Sequence, residues 1–171
     1  MVRGNAFRSA PSTGRGDPGH DPALQKHHLL PLQLLSKRCF GPMFDQIGAG
    51  NAGFEDFRRN GLLLPATEDA AASTSRPLHR GPHGIYNEMV IERVGSIESD
   101  WSEQKLSNTE AALEQALIRL EMLQGALRRR LLDTKRVPFP LNWKATLRSQ
   151  EEDFSDMDAM ADALWGETKD V

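Results

Sequence analysis

Four of the five histidines in this chain fall in two tight pairs, His27-His28 and His79-x-x-x-His83. Imidazole is both a ligand for transition ions and the side chain that gains and loses a proton near neutral pH. One adjacent pair plus one pair four residues apart can offer three nitrogens to a single divalent ion and leave a fourth imidazole free as a base. That inventory suits hydrolysis of a phosphodiester. Water must be deprotonated and aimed at phosphorus, which a free imidazole does well. Charge on the leaving oxygen must be neutralised, which a Lewis-acidic ion does. Three imidazoles favour Zn, Ni, Co or Mn over Mg, because nitrogen donors prefer transition ions. The same residues would equally serve a zinc clamp without chemistry, in a protein-interaction module.

Backbone geometry restricts how the pairs can meet. Adjacent side chains on a strand point to opposite faces, so both rings of His27-His28 reach one site only where the strand ends or twists, and Pro31 provides such an ending. Which of the two is ligand and which is base stays open at this level. Histidines four apart on a helical turn share a face about 6 Å apart.

The elements that must position these residues follow from local pattern. Ala23 to Leu35 is apolar enough to bury one face. Gly48, Gly50 and Gly53 match G-x-G-x-x-G, but no buried strand precedes them, so a mobile connector is expected rather than a dinucleotide loop. Asn60-Gly61 reads as a turn into a short buried strand ending at Pro65. An Ala-rich helix over Glu68 to Ser75 should stop before Pro77. A second helix should start near Pro82, with His79 at or just before it, and end at Gly95. Residues 102–133 form the clearest element: Ser107-Asn108-Thr109-Glu110 reads as a capping box, and Leu113, Leu117, Leu120, Leu123, Leu127 and Leu131 recur at three- and four-residue steps. That stripe packs on its own core or on a partner.

Composition bounds the classes. At 171 residues with 39% hydrophobic and 26% charged residues, the chain fits one modest domain with tails. It lacks a run of about 18 apolar residues and an N-terminal apolar core, so a cytoplasmic protein with no membrane span or secretory signal is expected. The lone Cys39 excludes an internal disulfide framework and is expected to be a small core residue. Residues 1–97 carry a net charge of +2 and residues 98–171 a net charge of −5. A mildly basic front points to a nucleic-acid site there, and the acidic tail is expected to mask the basic groove until nucleic acid displaces it.

Three segments in order resemble a known family: Gln25-Lys26-His27-His28-Leu29-Leu30-Pro31, then Asn60-Gly61-Leu62-Leu63-Leu64-Pro65, then Pro77-Leu78-His79-Arg80-Gly81-Pro82-His83-Gly84-Ile85-Tyr86. They look like the AHH family of nucleases, within the HNH (His-Me finger) superfamily, and the order is similar to that of the DNase colicins. The resemblance implies an α+β fold with a ββα-metal core, to which the long amphipathic helix and flexible termini are added. It implies a metal-dependent endonuclease acting on DNA in preference to RNA, often found as a bacterial toxin module. His28 would be the general base, and His27, His79 and His83 would hold one divalent ion (Zn, Ni, Mn or Mg). Asn60 would tie the loop between the strands. Lys26, Arg58, Arg59 and Arg80 would reach phosphate, and Tyr86 would pack. Lys26 stands where the family has its name-giving alanine, and the interval from His28 to Asn60 is longer than in compact fingers of this kind. The expected organisation is a disordered segment 1–22, a nuclease core 23–97, a long helix within 98–140 that packs on the core or on a partner, and an acidic tail 141–171. Helix 107–133 would serve an inhibitor protein or a second copy of the chain.

Overall fold

A computed structural model describes residues 21–141; the expectations for most of 1–22 and for the acidic tail fall outside them. Two strands, β1 (Leu24–His28) and β2 (Gly61–Pro65), pair antiparallel, with His27 opposite Leu62 and His28 opposite Gly61. β2 is buried almost throughout, and Leu62 and Leu64 enter the core. The chain is thus mixed α and β, with helices dominating a two-stranded sheet.

The connection from β1 to β2 is long and structured. It runs through a 3-10 turn (Leu32–Ser36), helix α1 (Gly41–Ile47) and the one-turn helix α2 (Phe57–Asn60). Between α1 and α2 lies the glycine-rich segment, which is a packed turn rather than a loose connector. Ala52 and Phe54 are buried within it, and the Ala52 carbonyl accepts a bond from Gln124. Gly53 takes a left-handed φ of 85° that favours glycine, and a Cβ there would lie 3.2 Å from the Arg59 Cβ, a tight fit. Cys39 is exposed, contrary to expectation. Its neighbour Phe40 takes the core position instead.

Helix α3 (Glu68–Thr74) starts at Thr67, whose hydroxyl accepts from the Ala70 amide, and ends at Ser75 in the left-handed region ahead of Pro77. Helix α4 (Gly84–Gln104) runs nine residues past Gly95, the residue expected to end it. The reason is energetic. A mid-helix glycine costs about 1 kcal/mol relative to alanine, whereas burying Ile97 and Trp101 gains roughly 1.5–3 kcal/mol each. Val90, Val94, Ile97 and Trp101 continue one buried stripe straight through the glycine. The expected boundary at 97 therefore falls inside a helix.

Helix α5 (Thr109–Leu132) begins later than the residue-102 start expected, because 102–104 belong to α4. Its cap is Asn108, whose side chain accepts from the Ala111 amide, while the Ser107 hydroxyl turns back to the Gln104 carbonyl. The capping box was displaced by one residue because Ser107 finishes the preceding turn. α5 then folds back along α4, with small Ala112 and Ala116 at the contact and an Arg119–Asp100 ion pair at 2.5 Å between the helices. Leu120, Leu123, Leu127 and Leu131 are buried in the same core as Phe44 and Leu64, so the stripe packs within the chain. No helix among the described residues is long and apolar enough to cross a membrane.

Candidate metal centre

β1 ends as it delivers its histidines. Gln25 and His27 lie on one face of the strand and Lys26 and His28 on the other. His27 is buried, with 1% of its surface exposed. His79 is tied to the end of β2 by its own amide, which donates to the Pro65 carbonyl at 2.8 Å. His83 is the N-cap of α4, so the two downstream histidines precede the helix rather than share one of its turns. Gly81, at φ 81°, reverses the chain between them. A loop, not a helical face, brings both rings inward.

The three rings form a nearly equilateral cluster, with centroids 4.9 Å (His27–His79), 5.1 Å (His27–His83) and 4.9 Å (His79–His83) apart. The candidate ligand nitrogens lie within 4.8 Å of one another, and the two Nε2 atoms of His79 and His83 are 3.0 Å apart. Gln25 Oε1 sits 2.9 Å from His79 Nδ1. An amide oxygen can only accept, so Nδ1 carries the proton and the Nε2 lone pair faces the cluster.

His27 supplies the test of whether an ion fits. Neither of its ring nitrogens has a hydrogen-bond partner among the described residues, although both are buried. An orphaned buried polar atom costs about 1–3 kcal/mol. A cation shared with His79 and His83 would give one of these two nitrogens a partner, and three neutral imidazoles are a donor set that transition ions favour.

Burial holds all four paired histidines neutral. His27 is lowered from 6.5 to about 2, chiefly by burial and further by His79, His83 and His28. Burial, then His83 and His28, bring His79 to about 4. His83 is lowered by burial, and His28 by burial and then by the Lys26 ammonium. In the metal-free protein the unfolded chain binds more protons than the folded one below 6.5, so stability must fall as pH drops. His27 alone should cost about 2 kcal/mol between pH 7.5 and pH 5. Urea denaturation of the metal-free protein at the two pH values measures this, and equal midpoints would contradict the assignment of a neutral buried His27.

His28 lines the same cavity of about 250 Å³ as His27, His79 and His83. Its ring meets the edge of Phe57 at 5.9 Å and 85°. Phe57 in turn lies over Gly61, where a Cβ would overlap the phenyl ring and the Phe57 carbonyl. That contact gives the glycine after Asn60 its role: a bare strand position on which the Phe57 ring rests.

Asn60 is completely buried and joins the end of β1 to the start of β2. Its Oδ1 accepts from the Leu30 amide at 2.7 Å, its Nδ2 donates to the Leu30 carbonyl at 3.0 Å, and its own carbonyl accepts from the Leu29 amide at 2.9 Å. Tyr86, expected only to pack, presents its ring edge to His27 at 4.7 Å and donates its hydroxyl to the Leu29 carbonyl at 2.8 Å. The two residues after His28 are thus fixed from both sides.

The expected phosphate contacts are distributed unevenly. Lys26 lines the cavity, with its ammonium 5.3 Å from the Phe57 ring centre. Arg59 pairs with Glu121 at 2.6 Å, and Arg58 leans 3.6 Å from Asp56. Arg58, Arg59 and the exposed Arg80 do not line the cavity. Sequence reading gave no role to Gln25, Phe57 or Gln124, and from sequence Arg128 could equally touch phosphate or suit a helix C-terminus. Gln124 Nε2 donates to both the Ala52 carbonyl and Asn60 Oδ1, and the Arg128 guanidinium donates to the carbonyls of Arg58 and Arg59. Gln25 alone carried a local signal, two residues before His27 on the same strand face.

Three clustered histidines that could hold a metal ion lie beside a fourth imidazole on a small mixed α and β fold. Residues 9–127 match a nuclease family of the HNH/ENDO VII superfamily with conserved AHH, and the chain belongs to that family. No curated protein and no solved structure matches the chain.

Proposed function

We propose that this chain is a metal-dependent endonuclease that hydrolyses phosphodiester bonds of DNA, with β1, β2 and the start of α4 forming its ββα-metal unit. The observation that carries the reading is His27, buried with both nitrogens unpartnered beside His79 and His83, while His28 opens to the same cavity. His27, His79 and His83 would hold the ion, and Gln25 would keep His79 in the right tautomer. When bound, the ion supplies Lewis acidity to the scissile phosphate. His28, neutral at physiological pH, takes the proton from the attacking water. Lys26 brings a positive charge to the phosphate, a contact the family's alanine cannot make. Asn60 and Tyr86 fix the backbone that follows His28. The preference for DNA and a setting as a toxin-type nuclease rest on the family resemblance.

Incubation with plasmid DNA and with RNA across Mg, Mn, Ni and Zn should give cleavage that EDTA abolishes. His79→Ala and His83→Ala should each lose the ion and the cleavage together, by at least about 10-fold in metal affinity. A folded, zinc-bound protein that cuts neither nucleic acid would replace this reading with a structural zinc site in an interaction module.

A further inference from the structure

The cavity has a wall that the chemistry leaves unused. Pro31, Leu32 and Gln33 line it together with the histidines, yet none is a ligand or a base. Leu32 begins the 3-10 turn, where side chains three apart eclipse one another, so Leu35 stands in line with it. Both are exposed, at 49% and 42%. Leu34 between them is completely buried and anchors the turn to the core. The residue before Pro31 is held by Asn60 at both its amide and its carbonyl. Leu32 is therefore held in place at the wall of the cavity, with Leu35 beside it on the same anchored turn rather than on a loose loop.

Single exposed leucines need no explanation, but two aligned on an anchored turn beside a cavity of about 250 Å³ form a directed apolar edge. The flanking groups of any phosphodiester are a sugar ring and a base, and both present apolar faces. We propose that Leu32 and Leu35 form the contact for the sugar and base next to the scissile phosphate, with Leu32 against the nearer nucleotide and Leu35 against the one beyond it. Apolar side chains pressed against or between base steps are an established way for proteins to hold and bend nucleic acid. This assignment rests on the nuclease reading and adds a nucleotide-binding edge to it. A protein partner on the same leucines is the competing occupant, and continuity with the catalytic cavity favours the nucleic acid.

The test compares the parent with Leu32→Ser, Leu35→Ser and the double variant on two substrates: a short DNA duplex, and methyl p-nitrophenyl phosphate, a diester without sugar or base. Both leucines are half-exposed, so the fold should survive, and thermal midpoints check that it does. Withdrawing about half a leucine from the contact should raise KM for DNA roughly 5-fold per residue, and about 20-fold in the double variant. The loss on DNA should exceed the loss on the small diester by at least about tenfold in the double variant. An unchanged KM for DNA overturns the assignment and leaves the edge to a protein partner. Equal losses on both substrates overturn it as well, because they would mean a disturbed centre rather than a lost nucleotide contact. If the parent cuts the small diester but the leucines do not matter for DNA, the nuclease reading stands while this inference fails. If the parent cuts neither, both fall.

Discussion

His28→Ala should bind its ion as the parent does and cleave DNA about 10²–10⁴-fold more slowly, the usual contribution of a positioned general base. The argument is one of separation. His28 lines the cavity but is not one of the three clustered rings, so its removal leaves the ligand set whole. Its one ring contact among the described residues outside that cluster is the edge of Phe57, so little packing is lost. Burial and Lys26 keep it in the neutral form that can take a proton. Metal content, thermal midpoint and the rate on an oligonucleotide, measured on one preparation, give the answer. Added imidazole should restore part of the rate, because it can enter the space the side chain leaves. A variant that cuts at the parent's rate would move the base elsewhere. A variant that loses its ion would make His28 a ligand and reopen the assignment within the pair.

Asn60→Ala should fail in a different way, through the scaffold. The substitution strips partners from the buried Leu30 amide and carbonyl and removes one acceptor from Gln124. At about 1–3 kcal/mol for each orphaned group, the loss should be roughly 2–5 kcal/mol, a large part of the 5–15 kcal/mol typical of a domain. The urea midpoint should fall accordingly, with cleavage falling too because the backbone after His28 is no longer fixed. Gln124→Ala should be milder, since Asn60 Oδ1 keeps the Leu30 amide. If Asn60→Ala were as stable as the parent, the buried bonds would not be the tie they look to be.

Much of the centre was legible because its chemistry is written in residue types. Paired histidines are few, and each pair lies within five residues of chain, so the four candidate residues could be named without coordinates, while the split between ligands and base came only from the family resemblance. The short strand after Asn60-Gly61 and the helix before Pro77 were legible for the same reason, since turn and stop signals are local. The path of His79 to His83 was not. A helical spacing is satisfied equally by a loop that Gly81 reverses, and only the ties of the His79 amide to Pro65 and of the Arg80 amide to Leu141 decide between them. Gly95 misled because a local stop signal competes with a stripe whose value depends on what lies across from Ile97 and Trp101. Gln124 left no signature at all, and Arg128 none for the contact it makes. Their partners, Asn60 and Arg58, lie 64 and 70 residues away in the chain, and a glutamine or an arginine on an amphipathic helix reads as solvent-facing.

The grip of α5 on the loop between the strands bears on how far the chain can be shortened. A fragment ending at residue 97 would keep all four paired histidines but lose Glu121, Gln124 and Arg128, the residues that hold Arg59, Asn60 and the end of α2. It would also cut α4 between Ile97 and Trp101 and leave the core without Leu120, Leu123 and Leu127. The ligands and the buttress that keeps them in register are far apart in sequence and adjacent in space, so the smallest piece able to carry the centre has to reach beyond Leu131.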